Sequence, residues 1–176
     1  MPINPASVEE ATQLLARLGA PPRLLRHVAL VGEAGERLLE LAGGLHLPID
    51  ATTVRVGIVL HDAGKILASA ELDAPGGEHE PLGEGLLLEH GVSPGLARIC
   101  VSHARWAEMP VSLEELLVAL SDKLWKGVRN AQLEERFINE TAQAMDRDRW
   151  DLFVQLDSLF EEVAADGPAR LERSRV

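Results

Sequence analysis

Apolar residues recur at spacings of three and four along almost the whole chain, and alternating runs of the strand type are scarce, so the pattern predicts an all-α fold. Ser7 with Glu10 reads as a capping box opening a helix to about Leu18. Pro21 and Pro22 start a second helix, which ends at the Gly43-Gly44 pair. Asp50 is the expected N-cap of a third, running through Val54, Val56 and Leu60. Its β-branched residues also fit a strand, but the helical flanks favour a buried helix. Asp73-Ala74-Pro75-Gly76-Gly77 is the clearest loop. A helix from about Pro81 to His90 stops at Gly91, and Ser93-Pro94 caps another that runs to about Ala104. Ser112 with Glu115 is a second capping box, opening a long helix through Asp122 toward Arg129. Its Leu/Val stripe from Leu113 to Leu120 reads as core. Leu133 to Ala165 fits one or two amphipathic helices, with a frayed tail after Gly167. With no internal repeat, low-complexity tract or linker, residues 1–176 are expected to form a single domain.

Composition narrows the function. A chain of 176 residues is long enough to bury one sizeable core, and 46% apolar with 26% charged residues is the balance of a soluble globular protein. Nothing at the N-terminus reads as a signal peptide, and no apolar stretch is long enough to cross a bilayer. Cys100, the single cysteine, cannot form an internal disulfide, so a reducing, cytoplasmic setting is the default. The net charge of −11 argues against nucleic-acid and anionic-membrane partners, which need basic surfaces. A small anionic substrate stays open, because a divalent ion and a few local cations dominate the field inside a pocket.

The chemistry lies in His61-Asp62, which ends an apolar run in Gly-Ile-Val-Leu-His-Asp-Ala-Gly-Lys. Alone this pair is a weak signal. His27 on the preceding helix and Asp122 on a later one make it an ordered donor set. Imidazole nitrogen and carboxylate oxygen suit a divalent Fe, Mn, Ni, Co, Zn or Mg ion. The alternative for these four residues is a buried His–Asp hydrogen-bonded network without metal. The order His27, His61-Asp62, Asp122 resembles the HD-domain superfamily, over roughly Arg23 to Arg129, and Gly64-Lys65 completes a frequent extension of the pair. The resemblance implies a helical bundle with a central metal and, most often, phosphohydrolase activity. Two further histidines, His79 in Glu-His-Glu-Pro-Leu-Gly and His103 in Val-Ser-His-Ala-Arg-Trp, are similar to the extra pair of binuclear HD proteins. By that likeness Asp62 bridges two ions, with His27, His61 and Asp122 on one and His79 and His103 on the other. Otherwise the two histidines contact substrate or cap helices, and one ion is held. His46 and His90 match nothing and are expected at the surface.

Against fourteen arginines the chain has only three lysines, Lys65, Lys123 and Lys126, all close in sequence to the proposed ligands. On a continuous helix Lys126 and Arg129 share a face with Asp122. These four cations are the expected phosphate-binding set, with Asp62 and Lys65 the expected catalytic pair. As single residues each also fits a solvated surface charge. Arg105 is a weaker candidate, Trp106 is either a stacking or a packing residue, and Glu33 and Glu36 read chiefly as exposed helix charges. The expected function is hydrolysis of a phosphate ester or anhydride in a nucleotide or dinucleoside polyphosphate. Two alternatives share the donor set: an HD-type di-iron oxygenase, and a non-catalytic nucleotide-binding or regulatory module. The absence of tyrosine removes a group that some such oxygenases use to gate iron. The region beyond Arg129 is expected to shape substrate choice or a homodimer interface.

Overall fold

The third helix shows why a strand-like sequence folds as a helix here. In the computed structural model, which describes residues 2–175, α1 spans Val8–Arg17, α2 Pro22–Gly44 and α3 Ala51–Leu60. Val54 and Ile58 of α3 enter one apolar core, while Val56, Val59 and Leu60 enter a second. A helix buried on opposite sides has no polar face to reveal its period, so its β-branched residues mimic a strand. Asp50 caps it, its carboxylate accepting from Thr52 N at 2.9 Å.

The remaining helices are α4 His79–Glu89, α5 Pro94–Ala97, α6 Ile99–Arg105, α7 Leu113–Leu124, α8 Ala131–Ala144, α9 Arg149–Ala165 and α10 Gly167–Ser174. Two short 3-10 turns, Ala63–Ile66 and Ser69–Leu72, join α3 to the loop before α4. No strand occurs among the described residues. The larger core is built by α2, α3, α7, α8 and α9; the smaller one joins α1, the start of α2, α3, α4, α5 and Cys100 of α6. Among the described residues no helix is long and apolar enough to cross a membrane.

The second capping box holds, Ser112 and Glu115 exchanging hydrogen bonds of 3.2 and 2.8 Å; in the first, Ser7 Oγ accepts from Glu10 N at 3.1 Å, but the Glu10 carboxylate accepts from Ala6 N at 2.8 Å and not from Ser7 N. Three further expectations need correction. The helix expected from Ser93 to Ala104 breaks at Arg98, whose guanidinium reaches Pro110 O at 2.7 Å and pairs with Glu115. The long helix stops at Leu124 instead of running to Arg129. Gly127 takes a left-handed conformation (φ 82°), and Val128 N closes back on Lys123 O at 3.2 Å. The tail after Gly167 is helical. Buried Arg170 donates to Val163 O at 2.9 Å and Trp125 O at 3.3 Å, while Arg173 clasps Glu33 of α2 at 2.6 and 2.8 Å.

Candidate metal centre

Each donor sits where a helix end or a packed turn fixes it. His27 lies one turn into α2, His61 and Asp62 follow the end of α3, His79 opens α4, His103 lies near the end of α6, and Asp122 lies in the last turn of α7. Gly64 lets the turn after Asp62 press against α4: a Cβ there would stand 1.8 Å from His79 O and 2.6 Å from Gly83 N. This contact couples the His61-Asp62 pair to the helix that carries His79.

Asp62 is the hub. Its Oδ2 lies 3.0 Å from His27 Nε2 and 3.5 Å from His61 Nε2. Its Oδ1 lies 3.2 Å from His79 Nε2 and 3.7 Å from His103 Nε2. Asp122 Oδ1 stands 3.5 Å from His61 Nε2. In each of two triples the donor atoms all lie within 4.8 Å of one another: His27, His61 and Asp122, and His61, Asp62 and His103. His79 joins through Asp62 alone.

The hydrogen bonds on the other side of each ring set the tautomer. His61 Nδ1 donates to Ile58 O at 2.6 Å and His103 Nδ1 to Ile99 O at 3.1 Å, while His79 Nδ1 donates to the Glu71 carboxylate. With the proton on Nδ1, Nε2 presents a lone pair to the centre. The Nε2 atoms of His27, His61 and His79 are buried without a hydrogen bond, although carboxylate oxygens lie close by. A lone pair facing a carboxylate oxygen is repulsive unless a proton or a metal ion lies between them. The donor set fits a divalent ion, with the mixed imidazole and carboxylate chemistry that Mn, Fe, Co, Ni and Zn accept.

Without a metal, the carboxylates and imidazoles sustain one another's charge. Burial opposes ionisation of Asp62, but His61, His27, His79 and Lys65 hold it well below the usual carboxylate range. Asp122 is likewise lowered, burial being outweighed by His61. Burial also works against protonated His61, yet Asp62 and Asp122 raise it; for His79, Asp62 and Glu71 do the same. In His103 burial prevails, reinforced by His61, and lowers it to about 4.

The donors open into a cavity of about 1200 Å³. Lys65 reaches Asp62 Oδ2 at 2.6 Å, Lys123 lies 3.4 Å from Asp122 Oδ2, and both line the cavity with Lys126. Arg129 does not join them. Beyond the end of α7 it turns to Glu134 (2.8 Å, twice) and Asp157 (2.6 Å), so its expected phosphate role is withdrawn. Arg105 is paired with Glu80, and Trp106 packs in the larger core. Glu33 and Glu36 bind Arg173 and Arg55. His46 and His90 are exposed, as expected.

Spacing gave no sign of two contributors. Glu71, from the second 3-10 turn, holds His79 Nδ1 and also accepts from the backbone N of Glu78 (3.0 Å) and His79 (3.2 Å). Trp125 meets the His27 ring edge-on, centroids 5.0 Å apart.

The HD-domain family model matches residues 24–125, the span that carries all six donors. Comparison with curated proteins and with solved structures gave no match.

Proposed function

This chain belongs to the HD-domain family, and on that footing we propose that it is a metal-dependent phosphohydrolase with a two-ion centre bridged by Asp62. The observation that carries the reading is the division of one carboxylate between two imidazole pairs: Oδ2 toward His27 and His61, Oδ1 toward His79 and His103. Asp122 completes the first set. Most of the family are metal-dependent phosphohydrolases, and HD domains bind divalent metals.

Divalent ions held by His27, His61, Asp62, His79, His103 and Asp122 would supply Lewis acidity toward a phosphoryl oxygen and the attacking water. The chain's own residues supply the rest. Lys65 and Lys123 place ammonium groups beside the donors, where they orient a phosphate and stabilise charge that grows in the transition state. Asp62, held against its burial well below the usual carboxylate range by His61, His27, His79 and Lys65, stays ionised at neutral pH and would be shared by both sets of imidazoles. The substrate class we propose is a nucleotide or dinucleoside polyphosphate.

The test is phosphate release from a panel of nucleoside monophosphates and dinucleoside polyphosphates by Mn-loaded full-length protein, beside Asp62→Ala. The expected result is metal-dependent release that falls at least about 1000-fold in the variant, together with metal loss. Turnover surviving in Asp62→Ala would contradict the proposal. Intact ligand recovered from a tight complex would support the binding module instead. Product formed only with oxygen uptake would support the oxygenase.

A further inference from the structure

The cavity is larger than its metal-type donors require. Its volume of about 1200 Å³ exceeds the roughly 300–1,000 Å³ usual for pockets that take drug-sized ligands. Part of its wall lies outside the matched span: Lys126 in the turn after α7, and Leu171, Ser174 and Arg175 on and just past α10.

Charge on that wall is unevenly compensated. Each wall carboxylate has a partner: Asp62 has Lys65, Asp122 has Lys123, Glu71 has His79, Asp73 has Arg23 and Glu80 has Arg105. Arg26, Lys126 and Arg175 also line the cavity, and none has a carboxylate partner among the described residues. This occurs in a chain of net charge −11. Elsewhere Arg37, Arg55, Arg98, Arg136 and Arg173 each hold a carboxylate, whereas among the described residues Arg17, Arg147 and Arg149 do not; what sets the wall cations apart is that they line one cavity. Trp125, on the same wall and 7% exposed, has an indole N–H with no acceptor among the described residues. A buried donor without a partner is costly, and a ligand oxygen relieves it.

Docking of α10 fixes this arrangement. Gly167 lies so close to the α7 turn that a Cβ would stand 2.3 Å from Gly127 N. Arg170 ties the helix to Trp125 O, and Arg173 ties it to Glu33. The segment carrying Trp125 and Lys126 is therefore held by the helix that precedes Arg175.

We propose that Arg26, Lys126, Arg175 and the Trp125 indole N–H form a seat for a second anionic group. The ligand then carries a phosphate-type group beside the one at the metal donors. Only the role of the first group rests on the phosphohydrolase reading; the second seat is a binding statement. Guanidinium forks and an indole donor suit the oxygens of a phosphate better than a single carboxylate.

The experiment is calorimetric titration of the Mn-loaded full chain with adenosine 5′-monophosphate, adenosine 5′-diphosphate and adenosine 3′,5′-bisphosphate, with chromatography of the recovered ligand. It compares wild type with the Arg26→Gln/Arg175→Gln double variant and with Trp125→Phe, which keeps the ring against His27. Metal content and melting temperature confirm that each variant is intact. The double variant is expected to weaken a two-phosphate ligand by about 10-fold or more relative to its effect on the monophosphate. Selective loss for the diphosphate identifies a linear phosphate chain, and selective loss for the 3′,5′-bisphosphate identifies separated phosphates. Equal loss for all three ligands, or no loss, overturns the seat. Ligands recovered intact but selectively weakened would leave the seat standing and sink hydrolysis. Hydrolysis with unaltered selectivity would do the reverse.

Discussion

Gly64→Ala tests whether the His61-Asp62 pair and His79 are built as one unit. The new Cβ would stand 1.8 Å from His79 O and 2.6 Å from both His79 C and Gly83 N. All three are backbone atoms, so no side chain can rotate away, and relief requires the turn and α4 to separate by more than about 1 Å. Overpacking typically costs about 1–3 kcal/mol where side chains can adjust. For backbone against backbone the expected cost is about 3 kcal/mol or more, which lowers the melting temperature of a chain this size by roughly 6–12 °C. The displacement also exceeds the ~0.2 Å tolerance of a metal–ligand distance, so His79 is expected to lose its ion while His27, His61 and Asp122 keep theirs. Gly32→Ala is the control. Gly32 lies inside α2, and a Cβ there meets nothing within 4 Å, so the change is expected to stabilise by about 0.5–1 kcal/mol. Thermal denaturation of metal-free protein reads the first effect and metal content the second. A Gly64→Ala protein within about 1 kcal/mol of wild type that keeps a full metal complement would refute this coupling.

Glu71 and the imidazole protons give two further tests. Glu71→Ala is expected to weaken metal binding at the His79 side by about 10–100-fold, because the carboxylate fixes the ring's tautomer and direction. Glu71→Gln keeps an acceptor oxygen and should recover part of the loss; equal affinity in Glu71→Ala and wild type would remove Glu71 from the site. His61 and His79 are raised despite burial, by Asp62 with Asp122 and Glu71 respectively. Metal needs their unprotonated Nε2, so binding displaces protons and affinity should rise with pH through and above the ordinary imidazole range. His103, held at about 4, releases none at neutral pH. Proton release during metal titration in weak buffer measures this, and an affinity flat over that range would contradict it.

The donor order was readable because metal ligands are chemically distinctive and the fold presents them from successive helix ends. His27, His61, Asp62, His79, His103 and Asp122 converge although four segments separate them in sequence. Helices with one polar face and a cap, such as α1 and α7, were equally legible at their starts. What failed depended on tertiary contacts. Arg129 shared a helical face with Asp122 only if α7 continued, and the Gly127 turn directs it to Glu134 and Asp157 instead. The segment Gly167–Ser174 has little apolar surface to signal a helix, and it is held through Arg170 and Arg173. Glu71 and Trp125 belong to the site through packing against His79 and His27, which no spacing rule encodes.

The bridged centre is tested most directly by elemental analysis of metal per chain, on full-length protein purified without chelator under limited oxygen, beside His79→Ala. The expected result is about two ions per chain in the wild type and about one in the variant. One ion in both proteins would contradict a centre bridged by Asp62 and confine binding to His27, His61, Asp62 and Asp122. No ion after reconstitution with Mn, Fe, Co, Ni or Zn would contradict the metal centre itself.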